Sequence, residues 1–425
     1  MSRLGLARKL MLLKNRKATI LYLLIICCAF VSVPWVMNRT NSLEEGRSWR
    51  LSRKYQLKED RASEIDSVLN GEVSNSNIHK LLRMDPTPLI FAQSLVLSGP
   101  ARELGRNFIK GIDLYLKKVN DQGGIDGRPI MIWRLDDGYE PDNAYNNTTQ
   151  FISYSQLLGL FGYIGTPTTK ASLPLAKSAG IDIISPFTGA SVLRGANKAY
   201  TIHHRASYAD EAKRIVDYLV NDGFVRIAIG YQNDSYGKDV LNSLIEELAD
   251  PHMLSPVISV PLVRNSKDTG NAAKEIKAHN PDALIAISTY QTVASLIQNL
   301  NSQGSYPQVM TISFTGTKSL IKELPRHTSF GIGVTQVVPF PWDLRNPIVR
   351  DYQHDLRHVD SDAEFDFVSL EGYLIARKLV SALRKASPVI NRSSLRDALL
   401  DENDGLISGG VEVDLVFLGT DPWQP

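Results

Sequence analysis

From residue 89 onward, short runs of almost unbroken apolar residues alternate with amphipathic stretches of helical period. Strands are expected at 89–97, 130–137, 157–164, 182–186, 226–232, 283–289, 309–314 and 331–339. Helices are expected at 105–120, 144–154, 169–178, 209–222, 237–248, 270–278, 292–303 and 369–386. A strand that is apolar at nearly every position has both faces covered, and an intervening helix lets the next strand run parallel to it. The alternation therefore predicts an α/β fold of parallel sheets between helix layers. The 340 residues from 86 to 425 exceed a single core, which stops growing at roughly 250–300 residues. Two doubly wound parallel-sheet lobes joined by a hinge are expected over 86–425.

The N-terminal part is of different material. Residues 1–17 carry Arg3, Arg8, Lys9, Lys14, Arg16 and Lys17 and no acidic residue. Residues 18–37 are uncharged and apolar, and as a helix they would span about 30 Å, the thickness of a bilayer core. The basic flank predicts a cytoplasmic N-terminus, a single membrane-spanning helix and everything beyond it outside the cytoplasm. A cleaved signal peptide shares the basic start and apolar core, although no small-x-small site stands between the apolar run and Arg39. Acylation at Cys27 or Cys28 is a third reading. Residues 38–85 are polar and charge-balanced and read as a stalk. It ends at Asp85-Pro86-Thr87-Pro88, which resists any helix.

Several function classes lose support. The 47 basic and 45 acidic residues nearly cancel, and no basic run interleaved with aromatics marks a nucleic-acid surface. The two adjacent cysteines support neither a disulfide framework nor a metal site. Nucleophile-elbow, phosphate-loop, dinucleotide and zinc-protease motifs are missing, so no enzyme activity and no cofactor are expected.

In doubly wound sheets, ligands bind beyond the carboxyl ends of the strands. Here those ends lead into SGPARELG after Leu97, DDGYEP after Leu135, GTPTTKAS after Ile164, PFTGA after Ser185, NDSYG after Gln232, TYQT after Ser288 and TGT after Phe314. GTPTTKAS opens a helix with hydroxyls and unpaired N–H groups, which suits a carboxylate and equally an ordinary cap. PFTGA repeats that chemistry at the next strand end, so the two loops can converge on one anion. The candidates are Ser98, Tyr139, Gly165, Thr166, Thr168, Phe187, Thr188, Gly189, Arg205, Tyr236, Thr289, Tyr290, Thr315 and Glu371. Tyr208, Tyr236 and Tyr290 can cover an apolar ligand body or simply pack. Asp136, Asp137 and Glu371 are the acids available for an ammonium group, and Arg102 and Arg205 can add positive charge.

The segments SLVLSGPARELGRNFIKGIDLYLKKVNDQGGIDGRPI (94–130), DDGYEP (136–141), FGYIGTPTTKASLPLAKSAGI (161–181), SPFTGA (185–190), YQNDSYGKD (231–239) and SLEGY (369–373) follow one another in a specific order. In combination they resemble the type I periplasmic solute-binding proteins, in particular the leucine/isoleucine/valine-binding branch. The resemblance runs from about residue 88 to about residue 386. It implies a two-lobed clamp with three hinge crossovers, its second lobe inserted at about 206–330 with part of the C-terminal segment. It implies a ligand carboxylate at the 165–168 and 187–190 loops. Tyr236, Thr289, Tyr290 and the Thr315–Gly316 turn would close over it from the second lobe. Pro167 departs from the Ser-rich loop frequent in amino-acid binders and removes one N–H donor. The function the resemblance implies is capture of a small solute, most of all an amino acid of branched-chain type, for an ABC permease; the anchor expected at 18–37 would tether it to the membrane, which is unusual for a freely diffusing transport protein. A ligand-sensing ectodomain working through a partner is the alternative.

Overall fold

β1 (Leu89–Leu95) is buried at all but one position and forms the spine of the first sheet. Its interior polar residues are satisfied: Gln93 Nε2 donates to Gly162 O at 2.8 Å, and Gln93 Oε1 accepts from Arg134 Nε at 2.8 Å. The structure, a computed structural model, describes residues 87–195, 200–401 and 413–419. The basic tail, membrane segment and stalk expected at 1–85 lie outside the described residues. Among the described residues, no helix is long and apolar enough to cross a membrane.

The first sheet contains β1, β2 (Ile130–Asp136), β3 (Leu157–Phe161), β4 (Ile183–Ile184) and β5 (Thr201–Ile202), with the linking helices α1 (Arg102–Asp121), α2 (Pro141–Ile152) and α3 (Thr166–Ser178). Its order is β2-β1-β3-β4-β5, all parallel. α1 buries Leu104, Phe108, Ile112, Leu116 and Val119, a stripe at i+4 and i+3 spacing facing the core.

The second sheet contains β6 (Ile227–Gln232), β7 (Ile258–Leu262), β8 (Ala283–Ile287), β9 (Gln308–Thr311), β10 (Gly333–Gln336) and β11 (Asp414–Phe417). Its helices in the same stretch are α4 (Tyr208–Asn221), α5 (Ser235–Ala249), α6 (Gly270–Ala278), α7 (Tyr290–Ser302) and α8 (Thr317–Glu323). The order is β11-β10-β9-β8-β6-β7. Its first five strands repeat the arrangement of the first sheet. Each sheet thus has one switch point, between β1 and β3 and between β6 and β8.

Three more helices follow: α9 (Pro347–Val359), α10 (Phe367–Ala386) and α11 (Arg392–Leu400). α10 packs along α1, while α11 ties to the first sheet through Arg392 Nε, which donates to Leu157 O at 2.8 Å. The chain therefore passes between the two sheets after β5, after β10 and before β11. Local sequence sets the helix starts. Ser207 and Asp210 form a capping box on α4, Asp234 caps α5 through Tyr236 N and Gly237 N, and Asn346 caps α9 ahead of Pro347.

The structure refines the expected elements. Most strands end two or three residues earlier than the apolar runs suggest, because the last apolar residues enter the ligand-side turns; Leu157–Phe161 against 157–164 is typical, while Ile227–Gln232 ends where expected. β7 falls outside the expected strands because its run carries Pro261. It is the edge strand, where the missing N–H is tolerated. β11 runs antiparallel to β10, in a sheet otherwise parallel.

α1 and α10 approach so closely that a Cβ on Gly111 would overlap the carbonyl of Ser369, and one on Gly372 would overlap that of Phe108. Gly270 is the contrasting case: a methyl added there would meet no atom within 4 Å, and its φ is not positive.

Candidate functional site

The carboxyl ends of the two sheets face each other. Gln232 Nε2, at the end of β6, donates to Tyr139 Oη of the other lobe at 3.3 Å. Tyr290 Oη, at the start of α7, accepts from Glu103 N of α1 at 3.4 Å. On one rim, Arg264 Nη2 donates to Glu140 Oε2 at 2.6 Å, and Asn265 Nδ2 donates to Glu140 Oε1 at 2.8 Å. On another, Asp239 accepts from Ser191 N at 3.0 Å and from Ser191 Oγ at 2.6 Å. These bonds join the lobes face to face, as in a closed clamp. Glu140 and Arg264 remain partly exposed, so screening keeps the pair to about 0.5–1 kcal/mol. Arg264→Ala is expected to weaken closure about two- to fivefold by ligand titration, with a smaller difference from wild type at high salt.

The loops after β3 and β4 run side by side. Gly165 N donates to Phe187 O at 3.2 Å and Phe187 N to Tyr163 O at 2.7 Å. Gly165 has φ +94°, and a Cβ there would enter the Tyr139 ring, so the turn requires glycine. This stitching places Thr166 Oγ1 2.7 Å from Thr188 Oγ1, both side chains fully buried. The first amides of α3 have no acceptor within the helix. Thr168 is different: its hydroxyl turns back onto the carbonyls of Ile164 and Gly165. Gly189 meets the start of α4, its carbonyl accepting from Tyr208 N at 2.9 Å. Ser98 is exposed at the end of β1, its N–H on Asp136 Oδ1 at 3.3 Å.

Aromatic rings fill the space between these loops and the second sheet. Phe314 lies 5.5 Å from Phe187, 6.0 Å from Tyr139 and 4.7 Å from Tyr236, and Tyr236 lies 5.5 Å from Tyr208, centroid to centroid. Phe314 is not among the sequence candidates because it ends an apolar run that reads as strand 309–314. The chain leaves the strand at Thr311 and makes a 3₁₀ turn at Ser313–Thr315, which carries the ring into the cleft. Two buried hydroxyls of this cluster, Tyr208 Oη and Tyr236 Oη, have no hydrogen-bond partner, and neither has Thr289 Oγ1 at the start of α7. Thr188 lies close enough to Tyr208 to temper its phenol, yet outside hydrogen-bond geometry. Burial pushes both phenols well above their ordinary range, so they are neutral. Thr315 is engaged elsewhere, donating to Ser288 O at 2.9 Å and pairing with Thr311 at 2.6 Å.

Arg205, in the first crossover, lies 4.6 Å above the Phe187 ring. Its Nη1 donates to both oxygens of Glu371, at 2.8 and 2.6 Å, and its Nη2 donates to Ser313 Oγ and lies 3.6 Å from Glu211 Oε1. Arg205 and Glu371, expected to offer charge to a ligand, are thus bound to each other. Burial pushes the Glu371 carboxyl up, and the charge and paired hydrogen bonds of Arg205 oppose that rise. Burial also works against the Arg205 charge, but Glu371 and Glu211 outweigh it.

Asp137 is fully buried, accepting from Ser94 Oγ at 2.7 Å and Tyr139 N at 2.8 Å. Burial raises its pKa from 3.8 to about 7. A raised folded-state value stabilises fully below the unfolded pKa and is lost as pH rises through the folded one. Burial lowers His203 to about 4, and its contribution is lost in the opposite direction, as pH falls. The comparison that isolates Asp137 is therefore wild type against Asp137→Asn. The wild-type Tm relative to the variant is expected to fall steadily between about pH 4 and pH 7 and then level off, followed by thermal melts.

A second concavity, of about 560 Å³, lies beside the first crossover and is lined by Arg194, His203, His204, Ser207, Lys213 and Arg214 among others. It has no aromatic wall and no paired switch-point loops, so the inter-lobe cleft is the better candidate. Among the described residues, no group of His, Cys, Asp and Glu side chains could hold a metal ion.

Two repeated doubly wound lobes, three crossovers and a cleft between the switch points define a type I periplasmic-binding-protein fold. The chain belongs to the periplasmic binding protein family, whose model matches residues 92–409. It is similar to a possible leucine/isoleucine/valine-binding protein from Rhodopirellula baltica SH 1, at 31% identity and a TM-score of 0.74, covering 80% of this chain and 96% of that one. It is also similar to a substrate-binding periplasmic protein from Ralstonia solanacearum, at 25% identity and a TM-score of 0.72, covering 78% and 98%. Among curated proteins it resembles Leu/Ile/Val-binding protein homolog 7 of Brucella abortus, 24% identical over 234 residues, 52% of this chain and 57% of that protein. The match therefore spans little more than half the length of that relative. The family is one of solute-binding receptors rather than of catalysts.

Proposed function

We propose that this protein captures a small carboxylate-bearing solute outside the cytoplasm, an amino acid of branched-chain type, by closing its two lobes over it, and that it performs no catalysis. The observation that carries this reading is the pairing of the Thr166 and Thr188 hydroxyls beside an aromatic cluster in which the buried Tyr208 and Tyr236 hydroxyls have no partner. The Thr pair and the amides at the start of α3 take the carboxylate, and the rings of Phe187, Phe314 and Tyr236 enclose the apolar body. Ligand bridging both lobes favours the closed state because only that state offers both sets of contacts. A free amino acid of about nine heavy atoms can supply the roughly −8 kcal/mol of micromolar binding.

Residues 18–37 anchor the chain in the inner membrane and 38–85 hold the clamp away from it, with the second lobe drawn from about 206–330 and part of the C-terminal segment. The closed clamp then delivers its solute to an ABC-type permease. Relatives named for leucine, isoleucine and valine binding support this choice of solute. The anchor and stalk also suit a sensing ectodomain that reports through a partner, and a co-purifying permease against a co-purifying signalling protein separates the two.

A thermal-shift screen of the full chain against amino acids, amides and organic acids tests the capture step. A ligand at 100 times its dissociation constant adds about 2.7 kcal/mol of stability. Thr166→Ala and Tyr236→Phe are each expected to reduce the affinity of any hit by about fivefold or more. A folded protein whose melting shifts with no solute would refute the proposal.

A further inference from the structure

The concavity of about 560 Å³ beside the first crossover has walls that include none of Thr166, Thr188, Tyr236 or Phe314. Its volume falls in the range of small-molecule sites, roughly 300–1,000 Å³. Three parts of the chain meet around it. Arg194 comes from the first lobe, between β4 and β5, and His203–Ala206 belong to the crossover itself. Asp210, Lys213, Arg214 and Asp217 come from α4, where their i, i+3, i+4, i+7 spacing puts them on one face, away from the buried stripe of that helix.

Most of the charge around the cavity is already matched. Arg205 is bound to Glu371, and Lys213 Nζ lies 3.1 Å from Asp217 Oδ2. Asp210 Oδ2 accepts from Ser207 N at 2.9 Å and Ser207 Oγ at 2.6 Å, closing the capping box of α4. His203 adds no charge: burial lowers it to about 4, and its Nε2 donates to Leu193 O at 2.9 Å. Two cations are left over, since neither Arg194 nor Arg214 forms an ion pair among the described residues.

Arg194 is held in place. Its Nη2 donates to the carbonyls of Arg205 at 2.7 Å and Ala206 at 3.1 Å, which fixes the plane of the guanidinium. Its Nε is enclosed and has no acceptor. Burial, and after it the Arg205 charge, pulls its pKa below the ordinary arginine value, and Asp210 offsets this only in part. A cation in that position is short of an anion. Arg214 lies exposed along the α4 wall of the same cavity. Guanidinium forks match the oxygens of phosphate, supplying charge and direction together.

We propose that this cavity is a second ligand site, separate from the inter-lobe cleft, for a phosphate-type oxyanion held between Arg194 and Arg214. Its room exceeds a bare phosphate ion, so a phosphomonoester of a small molecule also fits. Arg194 stands in the first lobe and Arg214 in the second, so an oxyanion bound to both bridges the lobes at their crossover. The proposal does not depend on which solute the cleft takes.

The test is calorimetric titration of the full chain with inorganic phosphate and, separately, with glycerol 3-phosphate, in a phosphate-free buffer containing sodium chloride. Saturable one-to-one binding with a dissociation constant below about 1 mM is expected for at least one of them. Either compound binding supports the site, and the tighter of the two tells whether it takes the free ion or a phosphomonoester. Arg214→Gln is expected to weaken binding about tenfold or more, and Arg194→Gln at least as much. Arg194 also braces the crossover, so should its variant not fold, the exposed Arg214 decides. No saturation by about 10 mM of either compound would overturn the proposal. Binding that falls in Thr166→Ala and persists in Arg214→Gln would overturn it too, because the anion would then lie in the cleft.

Discussion

Arg205→Ala is expected to destabilise the protein by about 3–5 kcal/mol, the range for removing one partner of a buried ion pair. The side chain is only 3% exposed, and its loss leaves Glu371 and Glu211 buried without their shared counter-charge. It also frees Ser313 and uncovers the Phe187 ring. Three regions meet at this residue. Arg205 belongs to the crossover between sheets, Glu371 to α10 on the first lobe, and Glu211 and Ser313 to the second. Chemical denaturation monitored by circular dichroism reads the loss. Arg205→Lys should recover only part of it, because an ammonium cannot bond both Glu371 and Ser313 in the planar geometry of a guanidinium. A loss below about 1 kcal/mol would mean that the cluster is wetter than its burial indicates.

Gly111→Ala is expected to be at least as damaging. The added methyl would overlap the Ser369 carbonyl of α10, and the obstacle is backbone rather than a flexible side chain. The two 20-residue helices would have to separate along their contact, with a cost of about 3 kcal/mol or more where overpacking cannot be relieved by rotamers. Gly372→Ala meets the Phe108 carbonyl and should behave alike. Gly270→Ala is the control: with open space around it, its effect should stay within about 1 kcal/mol and favour the helix. Melting temperatures of the three variants decide the matter. Equal melting of Gly111→Ala and Gly270→Ala would contradict the close helix approach.

The architecture is readable because buried parallel strands advertise themselves as apolar runs and their helices as amphipathic ones. Helix α6 is expected at 270–278 and is found there, Gly270–Ala278. What escapes has particular causes. Pro261 hides an edge strand whose exposed side needs no N–H donor. β11 is four residues long, pairs antiparallel and draws its partner from far earlier in the chain.

Sequence adjacency to strand ends is enough to suggest that the Gly165–Thr166 and Phe187–Gly189 turns lie side by side, as they do. It cannot tell which hydroxyls face inward. Thr168 and Thr315 look like Thr166 in sequence but return their hydroxyls to nearby carbonyls. Nor can it foresee that Arg205 meets Glu371, 166 positions later, so that both lose their expected free charge. The burial of Glu211 against Ser313 and Thr335 carries no sequence signal either, since a glutamate in the first turn of a helix ordinarily marks a solvated end.

The central claim is that the cleft closes on a small solute of branched-chain amino-acid type. Its most direct test is a calorimetric titration of the full chain with leucine, isoleucine and valine at two temperatures. The account predicts saturable one-to-one binding of at least one of them in the micromolar range or tighter, with a negative heat-capacity change from burial of apolar surface. Heats no larger than dilution for all three, from a protein that melts cooperatively, would contradict it.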